Sequence, residues 1–222
     1  MILSGKNLEF KKHNRSNPWI VMLLLFLCVM SFFLLKGVLT EQIVSPWKPT
    51  EFPTRDATSF ALEAEAQFAA GNLSKAVDAY QAAAVLAPDN PEYIWKQGRA
   101  LAYMTASQTT DAEKRDTLME TISILEDGLL KFTEDSNLYS VLALVYLWAA
   151  DKDLIGADQV DTYMAIAEDH IRRAVDLGPR NALAYAFYSE ILLQQANYER
   201  AEQMLRQALE YGVTSSEHLF DV

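Results

Sequence analysis

The sequence is poor in the residues on which many catalytic, metal-binding and disulfide-stabilised domains depend. Its 222 residues include one Cys, three His and only 8 Gly. A single cysteine excludes an intramolecular disulfide framework and a multi-cysteine zinc site. The histidines form no His-x-x-x-His pair, and the sequence contains no phosphate-binding glycine loop and no Gly-x-Ser-x-Gly elbow. We therefore predict that the chain is not an enzyme and binds no metal or cofactor.

Basic residues are scarce after the first quarter of the chain. Residues 57–222 carry 12 basic and 26 acidic side chains, which gives a net charge of −14. Nucleic acids are bound through basic surface that displaces counterions from phosphates. This composition therefore excludes nucleic acid as a partner of this region.

One long run of the sequence has no charged residue at all. Residues 19–35 read WIVMLLLFLCVMSFFLL. As a helix this run spans about 26 Å, and its continuation to Leu39, with Lys36 reaching the interface, gives about 31 Å, the thickness of a bilayer core. We therefore predict a single transmembrane helix at 18–39 that contacts the lipid bilayer. The alternative, a cleaved signal peptide, has a shorter apolar region and a small-x-small cleavage site, which is missing here.

The flanks of this run predict its orientation. Residues 1–17 contain four lysine or arginine side chains and one glutamate, and such a basic excess stays in the cytoplasm. We therefore predict a basic cytoplasmic tail at 1–17 and a single-pass protein of the cell (inner) membrane, with the following domain extracytoplasmic. Residues 40–56 contain three prolines and no helical period, which predicts a semi-rigid linker.

From Ala57 onward the sequence repeats a pattern of small and large side chains. An alanine is followed four positions later by an aromatic or aliphatic residue, and three positions later by another alanine. The sets are Ala76, Tyr80, Ala83; Ala167, Ile171, Ala174; and Ala201, Leu205, Ala208, with Pro88 and Pro179 after the first two. This pattern resembles the tetratricopeptide repeat (TPR) family, in which units of 34 residues form two antiparallel helices.

The resemblance implies an all-α fold, in which the transmembrane helix precedes an α-solenoid of four TPR helix pairs. The solenoid covers residues 57–215, and its units are 57–90, 91–135, 136–181 and 182–215, with a C-terminal tail at 216–222. The two middle units carry insertions of about 11 residues, which we expect to project side by side from one rim. An unrelated helical bundle with alanine-rich contacts is the alternative.

TPR solenoids typically bind peptides or helices in a concave groove lined by the first helix of each unit. Carried over by position, the resemblance implies a candidate protein-binding groove. Its residues are Phe68, Trp95, Arg99, Tyr103, Asn137, Leu144, Leu147, Trp148, Glu190 and Leu193. Aromatic anchors in such a surface suit an amphipathic or extended protein segment. The alternative is that these side chains pack against one another between neighbouring helices.

These features together predict a membrane-anchored TPR scaffold or adaptor that mediates protein–protein interaction or complex assembly. The alternative is a permanent structural subunit of a larger membrane protein complex. Solenoids normally end in a capping helix with a polar face, yet few residues follow the fourth unit. Met204, Leu205 and Tyr211 are then left on an incompletely covered face, which predicts self-association there or coverage by the C-terminal tail.

Overall fold

The computed structural model describes residues 17–39 and 55–214. Nearly all of the predicted basic tail, most of the predicted linker and the predicted C-terminal tail lie outside these residues. The chain divides into two units, Met1–Thr54 and Arg55–Val222. In the first, helix α1 spans Pro18–Leu39. Among the described residues, no helix is both sufficiently long and sufficiently apolar to cross a bilayer, so the transmembrane helix at 18–39 stays a prediction.

The second unit is built from helices alone over its described residues. Their bounds are α2 Ala57–Ala69, α3 Leu73–Leu86, α4 Pro91–Met104, α5 Asp111–Lys131, α6 Ser136–Ala149, α7 Lys152–Ile155, α8 Val160–Leu177, α9 Ala182–Gln194 and α10 Tyr198–Thr214. The pairs α2–α3, α4–α5, α6–α8 and α9–α10 pack internally, and each pair packs against the next. The all-α prediction is therefore confirmed, and the helix pairs stack as in a solenoid.

Polar side chains at the N-termini explain where several helices begin. In each case a side-chain oxygen accepts a hydrogen bond from a backbone amide two or three residues later. The pairs are Asp56 with Ser59, Asn90 with Glu92, Thr110 with Glu113, Asp135 with Leu138, and Asn181 with Leu183. Loss of such a cap costs about 0.5–2 kcal/mol, so these residues set the boundaries between consecutive helices.

The alanines of the repeated pattern lie where helices approach most closely. Ala76, Ala83, Ala167 and Ala174 are fully buried. In the second helix pair, Thr121 and Gly128 stand at the positions that these alanines occupy in the other pairs. Thr121 satisfies its hydroxyl by donating to the carbonyl of Thr117 at 2.7 Å. A Cβ atom at Gly128 would lie 3.0 Å from Ile94 Cγ2, so a residue without a side chain suits this contact.

The turns differ between the outer and the inner helix pairs. The α2–α3 and α9–α10 turns are short, and each contains one residue in the left-handed region: Gly71 (φ 76°) and Ala196 (φ 58°). The inner turns are longer. A turn of 3-10 helix, Thr105–Ser107, follows α4, and the short helix α7 lies between α6 and α8. Both insertions therefore fall at the turn within a pair.

The two insertions lie against each other, because the lengthened helix α5 packs against the added helix α7. Helix α5 has 21 residues whereas α3 has 14, and α5 packs against α7. The Tyr163 hydroxyl of α8 donates a hydrogen bond to Met119 Sδ of α5 at 3.8 Å. The two longer hairpins thus lie side by side.

The last helix keeps part of its apolar surface exposed. Tyr198, Leu205 and Leu209 are exposed, whereas Ala201 and Ala208 are buried. Tyr211 packs against Tyr185 of α9, with 5.4 Å between the ring centroids. Self-association through this face stays a prediction.

Candidate functional site

Three aromatic side chains from successive first helices form a continuous row. Phe68 of α2 lies 5.8 Å from Tyr103 of α4, and Tyr103 lies 5.6 Å from Trp148 of α6, measured between ring centroids. Both distances lie within the range of favourable aromatic pairs. All three side chains are half-buried. This aromatic row therefore presents one apolar strip across three helix pairs.

A buried arginine supports one end of the aromatic row. The Arg99 guanidinium lies 4.6 Å from the centroid of the Phe68 ring and 5.4 Å from that of Trp95. A cation over an aromatic face is attracted by the quadrupole of the ring. Arg99 thus packs against the Phe68 ring.

Beyond Trp148 the row ends at a pocket with a volume of about 730 Å³. Its walls come from the ends of α6 and α9 and from the insertion that contains α7. The lining residues are Leu147, Trp148, Ala150, Asp151, Lys152, Val160, Glu190, Leu193 and Gln194. This volume is in the range of ligand-binding clefts, and it is large enough for side chains of a bound segment.

Glu190 is the half-buried acidic group of this pocket. The Trp148 indole Nε1–H donates a hydrogen bond to Glu190 Oε2 at 3.3 Å. Burial raises the pKa of the Glu190 carboxyl above its ordinary value, and the hydrogen bond from the indole acts in the opposite direction. The carboxylate therefore lies in a partly desolvated position beside an aromatic ring.

The other two charged residues of the pocket lie at its exposed rim. The Asp151 carboxylate accepts a hydrogen bond from the backbone amide of Asp153 at 2.9 Å and thereby caps α7. Lys152 follows it and is exposed. The rim charges therefore lie nearer to solvent than that of Glu190.

The structure places part of the predicted groove at this site. The aromatic row and the pocket together contain six of the ten predicted residues. These are Phe68, Tyr103, Leu147, Trp148, Glu190 and Leu193. Leu193 is the most accessible of them, with 51% of its surface exposed.

The structure corrects the prediction for Trp95, Arg99 and Leu144, which belong to the core. Trp95 is 4% exposed, Arg99 7% and Leu144 0%. The physical reason is that α4 packs against α3, α5 and α6, and α6 packs against α4, α5, α8 and α9, so that neighbours cover most sides of both first helices. Asn137 lies at the opposite end of α6 from the pocket, where its Oδ1 accepts a hydrogen bond from Asn181 Nδ2 at 2.8 Å.

The prediction from sequence missed the pocket wall contributed by the insertion. Asp151, Lys152 and Val160 have no counterpart in a repeat of standard length. Alignment to the 34-residue pattern therefore could not identify them as groove residues. The sequence did contain one indication that the insertion contributes to the site, namely the excess length of the third unit at the rim of the solenoid.

Comparison with solved structures identifies the architecture. The chain is similar to TTC0263, a thermophilic TPR protein of Thermus thermophilus, with a TM-score of 0.58 and 15% identity over 70% of this chain and 74% of that chain. The fold is that of a TPR protein. The MamA fragment "41-end" from Desulfovibrio magneticus RS-1 also matches, with a TM-score of 0.45 and 15% identity over 72% of this chain and 77% of that chain. No protein-family profile matches the sequence, and no curated protein matches it.

Proposed function

We propose that this protein is a membrane-anchored TPR scaffold that binds a partner protein on the extracytoplasmic side and so supports complex assembly. The observation that carries the proposal is the aromatic row, which leads from Phe68 through Tyr103 to Trp148 and the adjoining pocket. A row with half-buried rings and a recess at its end suits an extended segment with apolar side chains.

The TPR fold supports protein binding as the general activity. Stacked helix pairs create an extended surface from several repeats, and this surface can follow a long segment of a partner. Here the row crosses three repeats and the pocket lies between the third and the fourth. A partner bound along this surface would thus contact all four helix pairs.

The support for the membrane anchor comes from the sequence. The run 19–35 is uncharged, and the basic side chains before it match the rule that positive flanks stay in the cytoplasm. Net negative charge on residues 57–222 would also repel the anionic headgroups of a membrane. We therefore propose that this repulsion keeps the acidic repeats away from the bilayer in which the chain is anchored.

Site-specific photocrosslinking in cells tests the binding surface. A photoreactive amino acid replaces Leu193 at the pocket or, as a control, Leu130 of α5, which is 82% exposed and lies outside the candidate site. We expect a discrete crosslinked protein at position 193, absent at position 130 and weakened by Tyr103→Ala. Equal crosslinking at both positions, or none at 193, would contradict the proposed surface.

Protease accessibility tests the anchor and its orientation. The full chain is expressed in bacterial cells, and protease is added before and after the inner membrane is opened. We expect digestion of the repeats once the outer membrane alone is permeable, while a tag fused before residue 1 stays protected. Release of the intact chain by high salt or carbonate would contradict a transmembrane anchor.

A further inference from the structure

Among the residues that the structure describes, the half-buried carboxylate of Glu190 has a single hydrogen-bond partner. Within the described residues, the hydrogen bond that it accepts comes from the Trp148 indole at 3.3 Å. A partly desolvated carboxylate loses hydration that one neutral donor does not replace. A cationic hydrogen-bond donor in the pocket would therefore supply the interaction that the Glu190 carboxylate lacks.

The described residues that line the pocket include one cationic side chain, which does not pair with Glu190. Lys152 lines the pocket, but among the described residues no ion pair joins its ammonium group to Glu190. The residue is exposed at the start of α7, so its charge lies toward solvent. A ligand can therefore approach Glu190 past apolar walls made by Leu147, Val160 and Leu193.

From this arrangement we infer that the pocket binds a lysine or arginine of an extended partner segment, with Glu190 pairing with its charged head and with neighbouring apolar residues of the segment on the aromatic row. This inference deepens the proposed function and rests on it. The long apolar stem of either residue can pack along the pocket wall while its head reaches a carboxylate.

Charge complementarity favours this occupant. Residues 57–222 carry a net charge of −14, so a basic segment is attracted before contact and an acidic one is repelled. Residues 213–222 supply no such cation, because they contain Glu217 and Asp221 and no lysine or arginine. Residues 1–17 are basic, but the proposed topology places them on the other side of the membrane from the pocket.

Fluorescence anisotropy with the full chain in a mild non-ionic detergent tests the inference. The probes are short fluorescein-labelled peptides in which two leucines flank one variable residue, which is lysine, norleucine or glutamate. Norleucine keeps the apolar stem and removes the charge. We expect the lysine peptide to bind about ten-fold more tightly than the norleucine peptide, and the glutamate peptide to bind most weakly.

Variants of the protein assign this preference to one carboxylate. Glu190→Gln should abolish the preference for lysine over norleucine, and Glu190→Lys should favour the glutamate peptide. Glu202→Gln is the matched control, because Glu202 is an exposed carboxylate of α10 that pairs with Arg206 at 2.7 Å. That control should leave the preference unchanged. Far-UV circular dichroism confirms that each variant remains folded.

Three results would overturn the inference. They are equal binding of the lysine and norleucine peptides, an unchanged preference in Glu190→Gln, and no binding of any probe. The proposed function is tested separately, because crosslinking at position 193 in the chain with Glu190 intact detects a bound partner whatever side chain of that partner enters the pocket.

Discussion

In the first helix pair the buried side chains are mostly alanine, whereas in helix α6 of the third pair they are mostly leucine and valine. The core around α2 and α3 consists largely of Ala64, Ala76, Ala79 and Tyr80. Helix α6 of the third pair buries an unbroken run from residue 140 to residue 147. The same helical hairpin is thus stabilised by very different amounts of apolar surface.

This difference follows from the number of neighbours around each helix. Helix α6 packs against α4, α5, α8 and α9, whereas α2 packs mainly against α3. Hydrophobic stabilisation scales with the apolar area removed from water. The pocket end of the candidate site lies in the well-packed part of the repeats, because Trp148 and Leu147 belong to α6. A rigid third repeat therefore positions the pocket.

The largest predicted effect tests whether stability is concentrated in the third repeat. Leu144→Ala removes a fully buried side chain of α6, and we expect it to lower the free energy of unfolding by about 2–5 kcal/mol. Thermal unfolding of the full chain in detergent, followed by circular dichroism, measures the change. Leu86→Ala in the first repeat is the control, since Leu86 is 52% exposed. Similar losses in both variants would remove the proposed contrast between the repeats.

A second prediction compares two buried tyrosines, Tyr80 of the first repeat and Tyr146 of the third. Among the described residues the Tyr80 hydroxyl is buried without a hydrogen-bond partner, and burial raises its pKa to about 12. The Tyr146 hydroxyl donates to Glu126 Oε1 at 2.6 Å. Burial, followed by this hydrogen bond, raises the pKa of Tyr146 above its ordinary value.

Replacement of each tyrosine by phenylalanine should therefore act in opposite directions. Tyr80→Phe removes an unsatisfied hydroxyl and should raise the free energy of unfolding by about 1 kcal/mol, whereas Tyr146→Phe should lower it by about 1–2 kcal/mol. Chemical denaturation of the two variants under one set of conditions measures both. Destabilisation by Tyr80→Phe would show that its hydroxyl has a partner in solution.

The repeated alanines allowed much of the fold to be predicted, because close helix contacts demand small side chains at fixed spacing. Ala76 and Ala83 are buried as that pattern implies. The site was harder to predict. Trp95 and Trp148 both fall on predicted groove positions, but burial depends on what neighbouring helices cover, which local spacing does not contain. Lys152 and Val160 come from an insertion outside the repeat, so only three-dimensional packing places them in the pocket.

The smallest predicted effect concerns a histidine that only the third repeat contains. His170 of α8 stacks on Tyr146 with 5.7 Å between the ring centroids, and its buried Nδ1 has no hydrogen-bond partner among the described residues. Burial lowers the pKa of His170 below its ordinary value, although Asp169 and Glu126 act in the opposite direction. At neutral pH the ring is therefore uncharged, and its burial reduces the free energy of unfolding only a little.

Acidification should weaken the third repeat through this residue. The unfolded chain protonates His170 at about pH 6.5, whereas the folded chain does so only at lower pH. Between these values the unfolded state binds more protons, so the free energy of unfolding falls as the pH is lowered below about 6.5. His170→Phe keeps an aromatic ring against Tyr146 and cannot titrate. Its unfolding temperature should fall less than that of the natural protein between pH 7.5 and pH 5.5. An identical fall in both proteins would assign the acid sensitivity to carboxylates elsewhere, since the phenylalanine variant binds no proton at this position in either state.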